Sequence, residues 1–157
     1  MTEVFSMSVI IILVSYHHQN TEKVAQKIAG ILGAEIKKPQ QTDSNNLANY
    51  DLIGFGSGIY FGKFDKTLIE LADKLPQLGG KKAFIFSTSG RLGNQEKFHK
   101  EIKEKLQSKG LTIVGEFNCG GYDTYGPLKI VGGINRGKPN EDDIKAAEAF
   151  AKSLKQQ

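Results

Sequence analysis

The sequence contains no tryptophan, a single cysteine (Cys119), two methionines and four prolines in 157 residues. One thiol forms no intramolecular disulfide, so the fold must rest on buried apolar surface, and a reducing interior suits the chain better than secretion. Long hydrophobic runs are missing too: "VIIILV", Val9–Val14, falls far short of the ~20 residues that span a bilayer. The N-terminal "MTEVFSM" carries an acid where a secretory leader has bases. Together these absences lead to the expectation of a cytoplasmic chain with no membrane partner.

What is present is ordinary for a globular protein: 39% hydrophobic and 24% charged residues, with neither a fibrous repeat nor a disordered bias. The length suits one domain over 1–157, and at about 150 residues folding buries roughly 68–70% of the chain's surface. Lysine and arginine number 21 against 17 acids, a net charge of +4. The lysines are spread over every helical segment, with no compact basic run interleaved with aromatics. They are read as solvated helix faces rather than a nucleic-acid surface, compatible with an acidic protein partner.

Apolar runs alternate with helical stripes from end to end. Strand signals lie at Val9–Val14, "AEIKK", "YDLIGFGS", "KKAFIFS" and "LTIVGEF". Between them Val24, Ile28, Ile31 and Leu32 form one helical stripe, and Leu68, Leu71, Ala72 and Leu75 a second that stops before Pro76. Phe98, Ile102 and Leu106 make a third, with His99 read as a helix-flank residue beside it. Ile144, Ala147, Phe150, Ala151 and Leu154 make the last, with Glu141, Asp142 and Asp143 in a first turn where the helix dipole favours acids. Strands apolar almost throughout and alternating with helices predict a parallel sheet covered on both faces. Five strands fit the doubly wound order 2-1-3-4-5, whose ligand lies outside the carboxyl ends of the strands.

Three segments therefore carry the chemistry: residues 16–21, 57–63 and 87–94. The first brings Tyr16, His17, His18, Gln19, Asn20 and Thr21 to a helix N-terminus, where free backbone N–H groups favour an anion. Asn20 or Thr21 as a plain helix cap is the other reading. The second brings Ser57, Gly58, Ile59, Tyr60, Phe61 and Gly62, and the third Thr88, Ser89 and Gly90. Glycines let backbone approach a flat ligand, and an adjacent aromatic stacks on it. Adjacent histidines without a nearby cysteine, and without a carboxylate before Glu22, make a poor metal set, so no metal is expected.

Related folds are tested by the same residues. A response-regulator receiver needs acids after the first strand, where Ser15 and Tyr16 stand; a low-molecular-weight tyrosine phosphatase needs Cys-x5-Arg, and Tyr125 follows Cys119 at that spacing. The nucleotide loop GxxxxGK[ST] is absent.

The ordered set of segments resembles the flavodoxin family. "YHHQNTEKVAQKIA" lies over the family's phosphate loop, (S/T)-x-T-G-x-T, with Asn20-Thr21 at its end. "YDLIGFGSGIYFGKF" is similar to the third strand and its isoalloxazine loop, "KKAFIFSTSG" to the fourth strand and loop, and "GINRGKPNEDDIKAAEAFA" to the C-terminal segment. The resemblance covers essentially the whole chain. It implies an α/β fold of flavodoxin type and noncovalent FMN, with the phosphate on residues 16–21 and the ring between residues 57–62 and 88–90. It also implies electron transfer between redox partner proteins rather than a catalytic residue set. A stand-alone NAD(P)H or quinone reductase and a flavin-free binding module remain the alternatives.

The departures are specific. Tyr16, His17 and His18 replace the hydroxyl and glycine positions of the phosphate loop. Arg91 and Leu92 stand where the family commonly stacks a tyrosine, leaving Tyr122 or Tyr125 as substitutes. Lys63 and Arg91 beside the ring, where many flavodoxins are acidic, imply a less negative second reduction potential. Residues 118–140 show no strand or helix pattern and are expected to form a lid or partner loop. Cys119 within them is read as an inert small residue.

Overall fold

In the computed structural model, residues 7–15, 20–90, 93–121 and 139–156 are described. In chain order they form β1 (Val9–Val14), α1 (Asn20–Leu32), β2 (Glu35–Lys37), two 3₁₀ turns (Pro39–Gln41 and Ser44–Asn49), β3 (Leu52–Tyr60) and β4 (Lys63–Phe64). There follow α2 (Lys66–Asp73), β5 (Lys82–Ser89), α3 (Gln95–Ser108), β6 (Thr112–Gly120) and α4 (Glu141–Leu154).

The sheet runs β2-β1-β3-β5-β6, with β4 hanging antiparallel from β3. Once that two-residue ribbon is set aside, the order is the expected 2-1-3-4-5, and every pairing along the path is parallel. All six residues of β1 are buried because both faces of the sheet are covered. Ile10, Ile12 and Val14 pack with Phe55, Leu68, Ile85, Ile102 and Leu106 beneath α2 and α3. Val9, Ile11 and Leu13 pack with Val24, Ile28, Phe84, Phe86, Ala147 and Leu154 beneath α1 and α4. The period of two along one strand thus feeds two cores.

Gly54 and Gly56 explain how the second core accommodates two phenylalanines from one strand. They pair in register with Phe84 and Phe86, whose rings lie across them, and a Cβ at either glycine would be driven into the neighbouring ring. The absence of a side chain on β3 is thus the space that the β5 rings fill.

Several boundaries differ from expectation for local reasons. Helix α2 ends at Asp73; Leu75 lies beyond it yet remains buried in the same core. The third strand continues through Tyr60 because it gains a partner in β4. The fifth expected strand, β6, continues through Gly120, so Asn118, Cys119 and Gly120 are strand rather than loop, paired with Ser87, Thr88 and Ser89. Helix α4 starts on a reciprocal cap, Asn140 and Asp143 each accepting the other's backbone N–H at 3.0 and 2.9 Å. No helix among the described residues is long and apolar enough to cross a membrane.

Candidate functional site

The carboxyl ends of β1, β3 and β5 gather on one rim of the sheet, and the residues there are tied together by short polar contacts. Ser15, just past β1, accepts the backbone N–H of Glu22 through its Oγ at 3.2 Å, answering one donor in the first turn of α1. Thr21 is buried, and its hydroxyl oxygen lies 2.8 Å from that of Thr88 on β5. The Asn20 side chain packs against Gly121, where a Cβ would meet its Nδ2 at 2.7 Å. The start of α1, the end of β5 and the exit from β6 therefore touch. Tyr16, His17, His18 and Gln19 lie outside the described residues, as do Arg91, Leu92, Tyr122 and Tyr125 and the lid expected over most of 118–140.

The segment expected as a glycine-rich loop at 57–63 is a β-hairpin. Tyr60 pairs with Lys63 and Ile59 with Phe64. The two turn residues both have positive φ, Phe61 at 54° and Gly62 at 77°, the conformation that two-residue hairpins favour. Ser57 is fully buried; its hydroxyl donates to the carbonyl of Gly58 and accepts the backbone N–H of Asp65 at 3.0 Å, fastening the base of the hairpin. Gly58 is buried beneath Tyr60, whose hydroxyl a Cβ at Gly58 would meet at 2.7 Å. Phe61 at the tip is 84% exposed. Two aromatic rings thus stand at the mouth of the rim, one half-buried and one projecting.

On the α3 side of β5 lies a polar chain, centred on the buried Ser87 and His99, that sequence reasoning missed. His99 is not a flank residue: it is fully buried, with Nε2 2.7 Å from Ser87 Oγ and Nδ1 3.0 Å from Glu116 Oε1. Lys103 donates to the other Glu116 oxygen at 2.9 Å. The Asn118 amide donates to Ser87 Oγ at 2.8 Å and reaches Ser89 Oγ at 3.3 Å. Phe64 of β4 meets the imidazole edge-on, ring centres 5.3 Å apart. Burial lowers the His99 pKa, against the raising effect of Glu116, and so favours the neutral ring. Burial pushes the Glu116 carboxyl up, but hydrogen bonds from Lys103 and His99 outweigh it and hold the group below its ordinary range, ionised. An ionised carboxylate only accepts, so Nδ1 carries the imidazole proton and Nε2 accepts from Ser87.

The signal for this residue was present. His99 stands three and seven positions before Ile102 and Leu106, the spacing of one helix face. Among the described residues no group of three or more His, Cys, Asp or Glu side chains is placed to hold a metal ion.

A family model described as a flavodoxin domain matches residues 11–129. An uncharacterized protein of Methanocaldococcus jannaschii is 52% identical over 148 residues, 94% of this chain and 98% of that protein. Among solved structures, oxidised Flavodoxin 2 from Bacillus cereus superposes with a TM-score of 0.72 at 18% identity, over 95% of this chain and 98% of that one. A Fusobacterium nucleatum flavodoxin bound to flavin mononucleotide superposes with a TM-score of 0.68 at 12% identity, over 96% and 98%. The chain belongs to the flavodoxin family.

Proposed function

We propose, with family membership as the premise, that this chain binds FMN noncovalently and carries electrons between redox partner proteins. The observation that carries the proposal is the Thr21–Thr88 hydroxyl pair, which draws the start of α1 and the end of β5 into contact beside the hairpin. The donor set fits a ligand with one anionic and one flat end. A helix of 13 residues presents its N-terminus on one side, and Tyr60 and Phe61 present aromatic faces on the other.

In this reading Tyr16, His17, His18, Gln19, Asn20 and Thr21 receive the phosphate, while Gly58 to Gly62 and Thr88 to Gly90 border the ring, with Tyr60 stacked on it. Ser57 acts one step back, through the hairpin base it fastens. The bound flavin supplies reversible one- and two-electron transfer. The polypeptide orients the ring, limits its contact with water and sets the local charge. The net charge of +4 and the exposed Lys63 beside the hairpin turn suit acidic partners and favour added electrons on the ring.

The test is a titration of the purified chain with FMN, followed by absorbance and melting temperature. A yellow complex with one FMN per chain is the expected result. A spectrum and a melting curve indifferent to FMN overturn the proposal. Oxidation of NAD(P)H by the loaded chain alone would make it a reductase instead of a carrier.

A further inference from the structure

We propose that His99 is a positioning residue for the cofactor rim: its proton sets the hydrogen-bond direction along Ser87, Asn118 and Ser89 and thereby the shape of the β5 end that borders the ring. The inference rests on the flavin reading only in its last step. The relay itself is a property of the chain.

The imidazole contacts a residue beside each of the two ring-bordering segments. Through Nε2 it holds Ser87, next to Thr88 and Ser89, and through its edge it supports Phe64, which pairs with Ile59 at the base of the hairpin. Of the elements packed against it, β6 contributes the Glu116 carboxylate and α3 the Lys103 ammonium behind that carboxylate; β4 and β5 contribute Phe64 and Ser87, neither charged.

With the ring neutral, both ring nitrogens and the Ser87 hydroxyl have their partners. Nδ1–H donates to Glu116, Ser87 O–H donates to Nε2, and the Asn118 amide donates to Ser87 Oγ. A proton added at Nε2 reverses the middle bond. Nε2–H now donates to Ser87 Oγ, the Ser87 hydroxyl hydrogen must turn away, and Ser87 Oγ faces two N–H donors. The Asn118 amide also reaches Ser89 Oγ at 3.3 Å and the Ser87 carbonyl at 3.4 Å. The oxygen has lone pairs for both donors, so the change falls on the displaced Ser87 hydroxyl hydrogen and is passed to the Asn118 amide, which lies between Ser87 and Ser89 on the segment proposed to border the flavin.

The first arm of the test uses the free chain and no flavin. NMR titration of the His99 ring is compared with the backbone amides of Ser89, Gly90 and Phe64. The amides are expected to follow the His99 midpoint, and in His99→Gln, which keeps a hydrogen-bonding group but no titration, they are expected to be flat. Amides that ignore His99 while its ring titrates overturn the relay.

The second arm compares the FMN dissociation constant of wild type and His99→Gln from about pH 5 to about pH 8. Every other titrating group is common to both proteins, so only the difference between the profiles reports His99. Toward acid, wild-type affinity is expected to fall by roughly fivefold or more relative to that of His99→Gln, the lower range of ordinary site-to-site coupling. Superimposable profiles refute the positioning role even if FMN binds. Amides that follow His99 in a chain that binds no FMN leave the relay intact and refute the flavin assignment instead. Should His99→Gln not fold, the wild-type amide titration still decides the relay.

Discussion

The two faces of the sheet are built on different physics. Under α1 and α4 the core is apolar up to the Thr21–Thr88 hydroxyl pair at its rim end, and its tightest feature is steric: the Phe84 and Phe86 rings seated over Gly54 and Gly56. Under α2 and α3 an apolar core of similar extent carries a chain of polar groups, the buried Ser87 and His99 with the half-buried Glu116 and Asn118. Dispersion and hydration on the first face respond weakly to pH, whereas each bond on the second depends on where a proton sits. The rim at the strand ends is thus supported from one side by shape and from the other by charge state. A perturbation can therefore address one support and spare the other.

The sharpest break on the steric face is Phe84→Ala, which leaves a cavity over Gly54. A loss of about 3–5 kcal/mol in denaturant unfolding is expected, with no change in the pH dependence of what stability remains. On the polar face Glu116→Ala strands the imidazole Nδ1–H in a buried position. That change costs about 1–3 kcal/mol near neutral pH and removes the acceptor that fixes the ring tautomer, so the His99 ring nitrogen shifts should move toward the average of the two tautomers.

At the rim, Tyr60→Ala should weaken FMN binding by about tenfold or more, combining lost ring contact with lost burial, and isothermal titration measures it. Thr88→Val, which removes one member of the Thr21 pair and keeps the shape, is expected to cost about 1 kcal/mol of stability in denaturant unfolding.

The mildest test changes no residue. The His99 pKa is lowered in the folded chain, so the unfolded chain takes up the proton first, and stability falls as pH drops below the ordinary histidine range. Glu116 adds the same sign further down, because its folded pKa is also lowered. Melting temperatures should decline between about pH 7 and pH 4.5 in wild type, and His99→Gln should lose the upper part of that decline. A decline in His99→Gln that runs parallel to wild type would show that the polar face carries no titrating support.

The legibility of these two faces in the sequence was unequal. The apolar face announced itself through continuous strand runs and the stripe Val24, Ile28, Leu32, and the parallel order followed from strand–helix alternation. Local chemistry at the start of α4 was also readable, since Asn140 and Asp143 are close in sequence. The polar face was not readable in the same way. His99 meets Ser87 twelve residues earlier and Glu116 seventeen later, and those distances close only when the sheet forms. The stripe of Phe98, Ile102 and Leu106 accounted for the helix without it. At the rim, the glycines at 58 and 62 suggested a loop, but one lies in a strand under Tyr60 and the other completes a turn. Of the expected phosphate-binding residues, only Asn20 and Thr21 lie among those described.

Phe61 is held at a φ of 54° with most of its surface in water. An asparagine there would tolerate the backbone better, since left-handed geometry costs an ordinary side chain roughly 1–2 kcal/mol and asparagine before glycine is the favoured hairpin pair. An engineer seeking a hardier scaffold would therefore make Phe61→Asn first. The same exchange would strip the rim of its projecting ring, so under the proposed flavin reading this turn sets thermal hardiness against ligand capture.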